Sequence, residues 1–215
     1  IAMRDASAEN ARDLMKTAYL CINARFEDGH YRGDPTETAL LRAARETIGD
    51  IQADRLFEIP FDADRKMMTT IHAFSGTRQA FTKGALEKLL PLCSHIMIAG
   101  AILPLDPALQ ERIVDAYHAL MDGGLRVLAF ASKDINDREL PDALAEKIEK
   151  DMVFLGLIGL EDPPRPEVPE AIGKCHEAGI RIIMITGDGS RTASAIAREI
   201  GLVKLLSSDS EFRLA

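Results

Sequence analysis

The sequence predicts an α+β domain in which helices flank an antiparallel sheet, followed by a shorter α/β stretch built on parallel strands. Three observations carry this. Up to about residue 150, well-capped amphipathic helices are mixed with strand runs spaced for hairpins. The texture changes near residue 151, where Val153 to Leu160 and then Ile180 to Ile185 form near-continuous apolar runs of the kind covered on both faces of a sheet. A helix over Glu167 to Ala178, stopped by Gly179, separates the two runs, and strand–helix–strand–helix is the order of a doubly wound parallel sheet.

Taken in order, the first helix starts at Glu9 and places Ala11, Leu14, Met15, Ala18 and Ile22 on one face, after which a loop runs to Gly29. Asp34-Pro35-Thr36-Glu37 opens a second helix. Asp34 caps it, Pro35 suits the first helical position and Glu37 stands at the capping-box distance, so Glu37 has a structural task open to it. Leu40, Leu41, Ala44 and Ile48 give the buried face and Gly49 the stop. Leu56 to Phe61 is extended and interrupted by Pro60, and a polar turn over Asp62 to Arg65 leads into a strand over Lys66 to Phe74. Ser75-Gly76-Thr77 turns that strand back into Arg78 to Thr82. Asp106-Pro107 begins another capped helix carrying Leu109, Ile113, Tyr117 and Leu120, and Gly123-Gly124 ends it. A strand over Leu125 to Ala131, a charged helix over Pro141 to Lys150, a final helix over Arg191 to Ile200 and a third parallel strand over Val203 to Leu206 complete the prediction.

Composition narrows the function. An apolar share of 47% with a charged share of 28% is that of a globular protein, and no apolar run approaches the roughly 18 residues of a bilayer span. A net charge of −8 argues against nucleic acid or an anionic membrane as the main partner, so a phosphate ligand must be held by a local basic pocket. Three separated cysteines (Cys21, Cys93, Cys175) give neither a disulfide framework nor a zinc pattern, and five histidines show no metal spacing. The P-loop, the dinucleotide fingerprint and the Gly-x-Ser-x-Gly elbow are absent.

One stretch has the right grammar for an anion. Gln79 to Thr82 delivers Lys83 to the end of a strand, Gly84 allows close approach, and a helix-forming run from Ala85 to Leu90 follows. An ordinary strand-to-helix turn with an exposed lysine has the same grammar. Phe61 beside Pro60 is either a core ring or one left free for a base to stack on. Thr186-Gly187-Asp188 falls at the carboxyl end of an apolar run, where doubly wound sheets bind ligands.

Several short phrases occur in a fixed order: Gly33-Asp34-Pro35-Thr36-Glu37, Pro60-Phe61 with Arg65-Lys66, Lys83-Gly84-Ala85, Asp162-Pro163-Pro164-Arg165, and Met184-Ile185-Thr186-Gly187-Asp188. Thr192-Ala193 and Ala195-Ile196-Ala197 to Gly201 follow. From about Gly33 to about Leu202 the chain resembles the cytoplasmic catalytic portion of P-type cation-transporting ATPases, nearest to the calcium-pump-like branch. The resemblance implies a nucleotide-binding domain over residues 1–159 and part of a haloacid-dehalogenase-like phosphorylation domain over 160–206. It implies that Phe61 stacks on adenine, that Lys66, Lys83 and Gly84 line the pocket, that Glu37 sits at its adenine end, and that Arg126 reaches toward the phosphates. It places Arg165, Thr186, Gly187 and Asp188 on the ATP from the phosphorylation side. The implied parent is a hydrolase and translocase that uses ATP and Mg2+, forms an aspartyl phosphate and moves a cation across a membrane. This chain is then a cytoplasmic portion of that integral membrane protein, without direct membrane contact, whose partners are ATP and the membrane and actuator domains of the same polypeptide.

Departures from the family pattern shape the expectation. No Asp-Lys-Thr-Gly-Thr string is present, so the acceptor aspartate is missing, no residue here is catalytic, and the chain alone is expected to be inactive. Thr186-Gly187-Asp188-Gly189 is followed by Ser190, Arg191 and Thr192, so the magnesium-holding Thr-Gly-Asp-Gly-x-Asn-Asp motif is absent and no metal site is expected. Ala63 stands where many relatives have a basic residue. The tail over 207–215 matches nothing and is read as disordered or as added sequence. Two other readings compete: a haloacid-dehalogenase-like phosphatase with a cap domain, whose Asp-x-Asp would be Asp62-Ala63-Asp64, and a docking module without a nucleotide site.

Overall fold

The computed structural model describes residues 8–74, 77–135, 148–187 and 189–203. The chain forms two compact units, one over residues 1–117 and 127–160, the other over 118–126 and 161–215.

The first unit is a mixed sheet covered by helices on both faces. Helix α1 (Ala8–Leu20) is followed by a short hairpin of β1 (Arg25–Glu27) and β2 (His30–Arg32), and then by α2 (Pro35–Ile48). The hairpin falls where the sequence predicts only a loop; Asp28 and Gly29 both adopt positive φ, 53° and 78°, as a two-residue hairpin turn requires. Helix α2 starts as predicted. Asp34 accepts from the Thr36 and Glu37 amides at 2.8 and 3.4 Å, Pro35 occupies the first turn, and Gly49 closes the helix with its N–H on the Arg45 carbonyl.

Strands β3 (Asp54–Asp62), β4 (Met67–Phe74) and β5 (Thr77–Gly84) form an antiparallel meander. A short α3 (Leu86–Leu89) and one 3-10 turn lead to β6 (Cys93–Ile98), β7 (Ala101–Pro104), α4 (Pro107–Asp122), β8 (Arg126–Ile135) and β9 (Met152–Leu160). Among the described residues the larger sheet has seven strands, in the order β3-β4-β5-β8-β9-β6-β7. It is not purely antiparallel as predicted, because β6 and β9 pair in parallel. That pair lets β9 occupy the middle of the sheet, which is why its sequence is apolar almost throughout.

One face buries Leu14, Met15 and Ala18 of α1 and Leu40, Leu41 and Ala44 of α2 against Phe130 of β8 and Ile158 of β9. The other buries Leu86, Leu89 and Ile113 against Ala129 and Ala131 of β8 and Met152 and Phe154 of β9. Along β9 the even positions Met152 and Phe154 face the second cluster, whereas Ile158 and Leu160 face the first. A period of two cannot do this without a slip, and Gly156, with φ 151°, sits where the slip occurs. The buried Cys21 and Cys93 pack in the core, where burial pushes their thiols up to about 11 and about 12; Cys175 is half-buried.

In the second unit, α5 (Val168–Glu177) and α6 (Ser190–Glu199) follow the prediction closely. Arg191 pairs with Asp122 at 2.8 Å, and the Thr192 hydroxyl donates to the Leu125 carbonyl at 3.1 Å. Of the two apolar runs predicted as strands of one parallel stretch, Val153 to Leu160 is instead β9 of the first unit's sheet, and the predicted strand over Ile180 to Ile185 is also corrected. Among the described residues no strand pairs with it, and Ile183 and Ile185 are 71% and 93% exposed. The run has the composition of a buried strand, but a strand is made by its neighbours' hydrogen bonds. The predicted helix over Pro141 to Lys150 lies outside the described residues except for its end, as do the strand over Val203 to Leu206 beyond Val203 and the tail over 207–215. Among the described residues no helix is long and apolar enough to cross a membrane.

Candidate functional site

Phe61 lies on β3, Lys66 in the β3–β4 turn, Lys83 and Gly84 on β5, and Glu37 in the first turn of α2. The β3–β4 turn begins at Asp62, whose Oδ1 accepts from the Asp64 and Arg65 amides at 3.0 and 2.9 Å. These N–H groups, that of Arg65 foremost, hold the Asp62 carboxyl below the usual carboxylate range. The turn closes with Lys66 at φ 53° and its amide on the Asp62 carbonyl at 2.7 Å. Asp62-Ala63-Asp64 is therefore a turn between antiparallel strands, its first carboxylate engaged by backbone, and not the nucleophile pair of a phosphatase.

Phe61 stands on the edge strand at this turn and is 64% exposed. Edge strands tolerate Pro60, because one side of the strand needs no ladder hydrogen bonds, and the β3–β4 register is irregular between Ile59 and Asp62. Lys66 is exposed and its ammonium lies 3.1 Å from Glu87 Oε1.

Lys83 and Gly84 end β5, opposite Met68 and Met67 of β4. Two strand spacings, about 9–10 Å, separate β3 from β5. Gly84 is needed by the fold: a Cβ there would meet Met67 Cβ at 2.6 Å and the Lys66 carbonyl oxygen at 2.7 Å. Lys83 is only 9% exposed, and its Nζ donates to Glu37 Oε1 at 2.5 Å. The other carboxylate oxygen of Glu37 accepts from the amides of Asn23 and Ala24 at 2.8 and 3.0 Å. Glu37 thus does not close a capping box on Asp34; it ties the α1–β1 loop to β5 and neutralises Lys83. The expectation of an exposed lysine beside free helix amides is corrected accordingly, since Lys83 is buried in an ion pair and the following helix is a single turn of four residues.

The combined charge of this patch is balanced, Lys66 with Glu87 and Lys83 with Glu37. Such pairs offer fixed donors and acceptors to a neutral polar group better than they attract a phosphate. The sequence did not reveal Glu87 as the partner of Lys66 or the Asn23 and Ala24 amides as partners of Glu37. A cavity of about 720 Å³ opens on the other side of the Asn23–Ala24 loop, lined by the end of α1, that loop, β1, Leu41 and Arg45 of α2, the segment into β3, and His72.

Of the remaining predicted residues, Arg126 is exposed at the first position of β8. In the second unit Arg165, Thr186 and Gly187 are exposed, and the Arg165 carbonyl accepts from the Val168 amide at 3.0 Å. Asp188 lies outside the described residues. Among the described residues no three His, Cys, Asp or Glu side chains cluster as a metal site.

Residues 10–167 match the family described as "P-type ATPase, cytoplasmic domain N". The chain is 42% identical over 200 residues to calcium-transporting ATPase 1 of Bacillus cereus, covering 90% of this chain and 22% of that protein. It is 36% identical over 208 residues to calcium-transporting ATPase 1 of Lactococcus lactis, covering 94% of this chain and 23% of that protein. It is also 36% identical over 214 residues to the human sodium/potassium-transporting ATPase subunit alpha-2, covering 88% of this chain and 21% of that protein. The chain thus spans about a fifth of the length of these relatives. With the N-domain match extending over most of its length, this chain belongs to the P-type ATPase family.

Proposed function

We propose that the chain is the nucleotide-binding part of a longer P-type pump that couples ATP hydrolysis, through an aspartyl phosphate, to cation transport, of the calcium-pump-like branch. The observation that carries this reading is the pairing of an exposed Phe61 at the sheet edge with the buried Lys83–Glu37 ion pair two strands away. An aromatic ring left in solvent costs burial energy and earns it back only when something covers it. The flat face of adenine suits Phe61, and the fixed carboxylate and ammonium suit its polar edge.

Residues 1–159 are proposed as the nucleotide domain and 160–206 as part of a haloacid-dehalogenase-like phosphorylation domain. Arg126 is proposed as a phosphate contact, and Arg165, Thr186, Gly187 and Asp188 as contacts of the second unit with ATP. Phosphoryl transfer depends above all on positioning and charge neutralisation. In this reading the chain's own residues grip the base and orient the nucleotide, while the acceptor carboxylate lies elsewhere in the pump. Magnesium belongs to the whole enzyme; the described residues supply no ligand cluster for it, and no step here runs through the ion.

The test is an amide chemical-shift titration with ATP, then AMP, without magnesium. Shifts centred on Phe61, Lys66 and Lys83, of similar size for the two nucleotides, are expected. No shift at millimolar nucleotide would refute the reading.

A further inference from the structure

The turn between Phe61 and Lys66 is held by a side chain whose anchor lies far away in sequence. Arg65 Nη2 donates to the Pro60 carbonyl at 3.1 Å and to the Met67 carbonyl at 2.9 Å. One guanidinium therefore ties the residue before Phe61 to the residue after Lys66. Through Nη1 the same group donates to Glu149 Oε2 at 3.2 Å. Among the described residues its buried Nε has no hydrogen-bond partner, and the guanidinium sits where the two carbonyls and the carboxylate hold it.

Glu149 is 6% exposed. Its other oxygen accepts from the Thr69 hydroxyl at 2.7 Å, and Thr69 shares a further hydrogen bond with the Thr82 hydroxyl at 2.8 Å. This carboxylate, just before β9, is thus fixed against β4 and, through Thr69 and Thr82, linked to β5. Ion pairs this enclosed add little net stability, because desolvation offsets most of the Coulomb gain. What they do supply is geometry, since a planar guanidinium with several acceptors has few ways to sit.

We infer that Glu149 is a positioning residue for nucleotide binding. Acting through Arg65, it sets the separation and orientation of Phe61 and Lys66. The inference rests on the reading of Phe61 and Lys66 as the adenine end of the site.

The experiment titrates the full chain with AMP and with ATP, both without magnesium, well below the unfolding transition. It compares the parent chain with Glu149→Gln, which removes the charge but keeps an acceptor for Thr69. The expected result is a roughly tenfold loss of affinity, equal for the two nucleotides (about 1.4 kcal/mol by the usual conversion), with displaced Phe61 and Lys66 amide signals before ligand is added. A purely structural role would lower the folded fraction and leave the affinity of the folded molecules unchanged. Arg65→Lys keeps the pairing charge but cannot span both carbonyls, and it should reproduce the loss even where Glu149→Gln folds poorly. Parent-like affinity in whichever variants fold overturns the inference. Phe61→Ala run beside them separates the two claims: unchanged affinity there defeats the adenine-end reading itself, and this inference with it.

Discussion

Replacing Phe61 by Ala separates a ring that holds the fold from one that holds a ligand. At 64% exposure only about a third of the side chain is buried. Full burial of a Phe is worth about 1.5–3 kcal/mol, so truncation here should cost roughly 0.5–1 kcal/mol of stability. If the ring stacks on adenine, the loss on the ligand side is larger, about 1–3 kcal/mol per stacked base. At about 1.4 kcal/mol per factor of ten, that is a roughly five- to hundredfold weaker Kd. The assay is an AMP titration followed by amide shifts, with a urea midpoint measured on the same samples. Phe57 supplies the control. It is on the same edge strand, also exposed, and has no proposed part in binding, so Phe57→Ala should change stability comparably and affinity not at all. A stability loss above about 2 kcal/mol for Phe61→Ala would show that the ring is core. Unchanged AMP affinity would show that it does not stack.

Three further outcomes follow from the same contacts. Gly84→Ala should cost about 1–3 kcal/mol of stability, read as a lower urea midpoint, because the new methyl meets Met67 and the Lys66 carbonyl; an unchanged midpoint would mean that the strands part freely. Glu37→Ala should destabilise more than Lys83→Met, since it leaves a buried ammonium and two amides unpartnered whereas Lys83→Met leaves a carboxylate still held by two N–H donors; the reverse order in urea unfolding would refute this. His72, 3% exposed and donating from Nε2 to the Leu20 carbonyl in its neutral form, is pushed down from 6.5 to about 4, by burial first and by the charge of Arg55 next. Between pH 6.5 and about 4 the unfolded chain binds a proton that the fold refuses, so stability should fall as pH falls through that window, by up to about 3 kcal/mol. It should be insensitive to this group above it, and His72→Gln should flatten the slope; an equal slope in the variant would refute the assignment.

What the sequence disclosed and what it withheld divide along the range of the interactions. Helix α2 could be read to the residue because Asp34, Pro35 and Gly49 act on amides and carbonyls within a turn of themselves. The β1–β2 hairpin also carried a local signal, Asp28-Gly29, but its strands are three residues each and show no periodicity to notice. The two-sided burial of β9 was legible in its composition; its parallel partner β6 was not, because strand neighbours are chosen by chain segments that share no local pattern. The same limit explains Ile180 to Ile185, where the residues of a buried strand occur with no strand beside them among the described residues.

The candidate site divides in the same way. Phe61, Lys66, Lys83 and Glu37 stand inside short recognisable phrases, so their types announced themselves. Their supports did not. Glu149 stands in the mixed charged run Glu146-Lys147-Ile148-Glu149-Lys150-Asp151, with nothing to link it to an arginine 84 positions earlier until the sheet brings them together. The amides of Asn23 and Ala24 are still less visible, because a backbone N–H is present whatever the side chain. Those two amides fix one oxygen of Glu37 and leave the other to Lys83, so substitutions at positions 23 and 24 that keep the loop's backbone should leave the Glu37–Lys83 pair in place. A proline at position 24 removes one of the two donors outright and should loosen the pair. Position 24 therefore constrains the site through its backbone, and only a structure shows that.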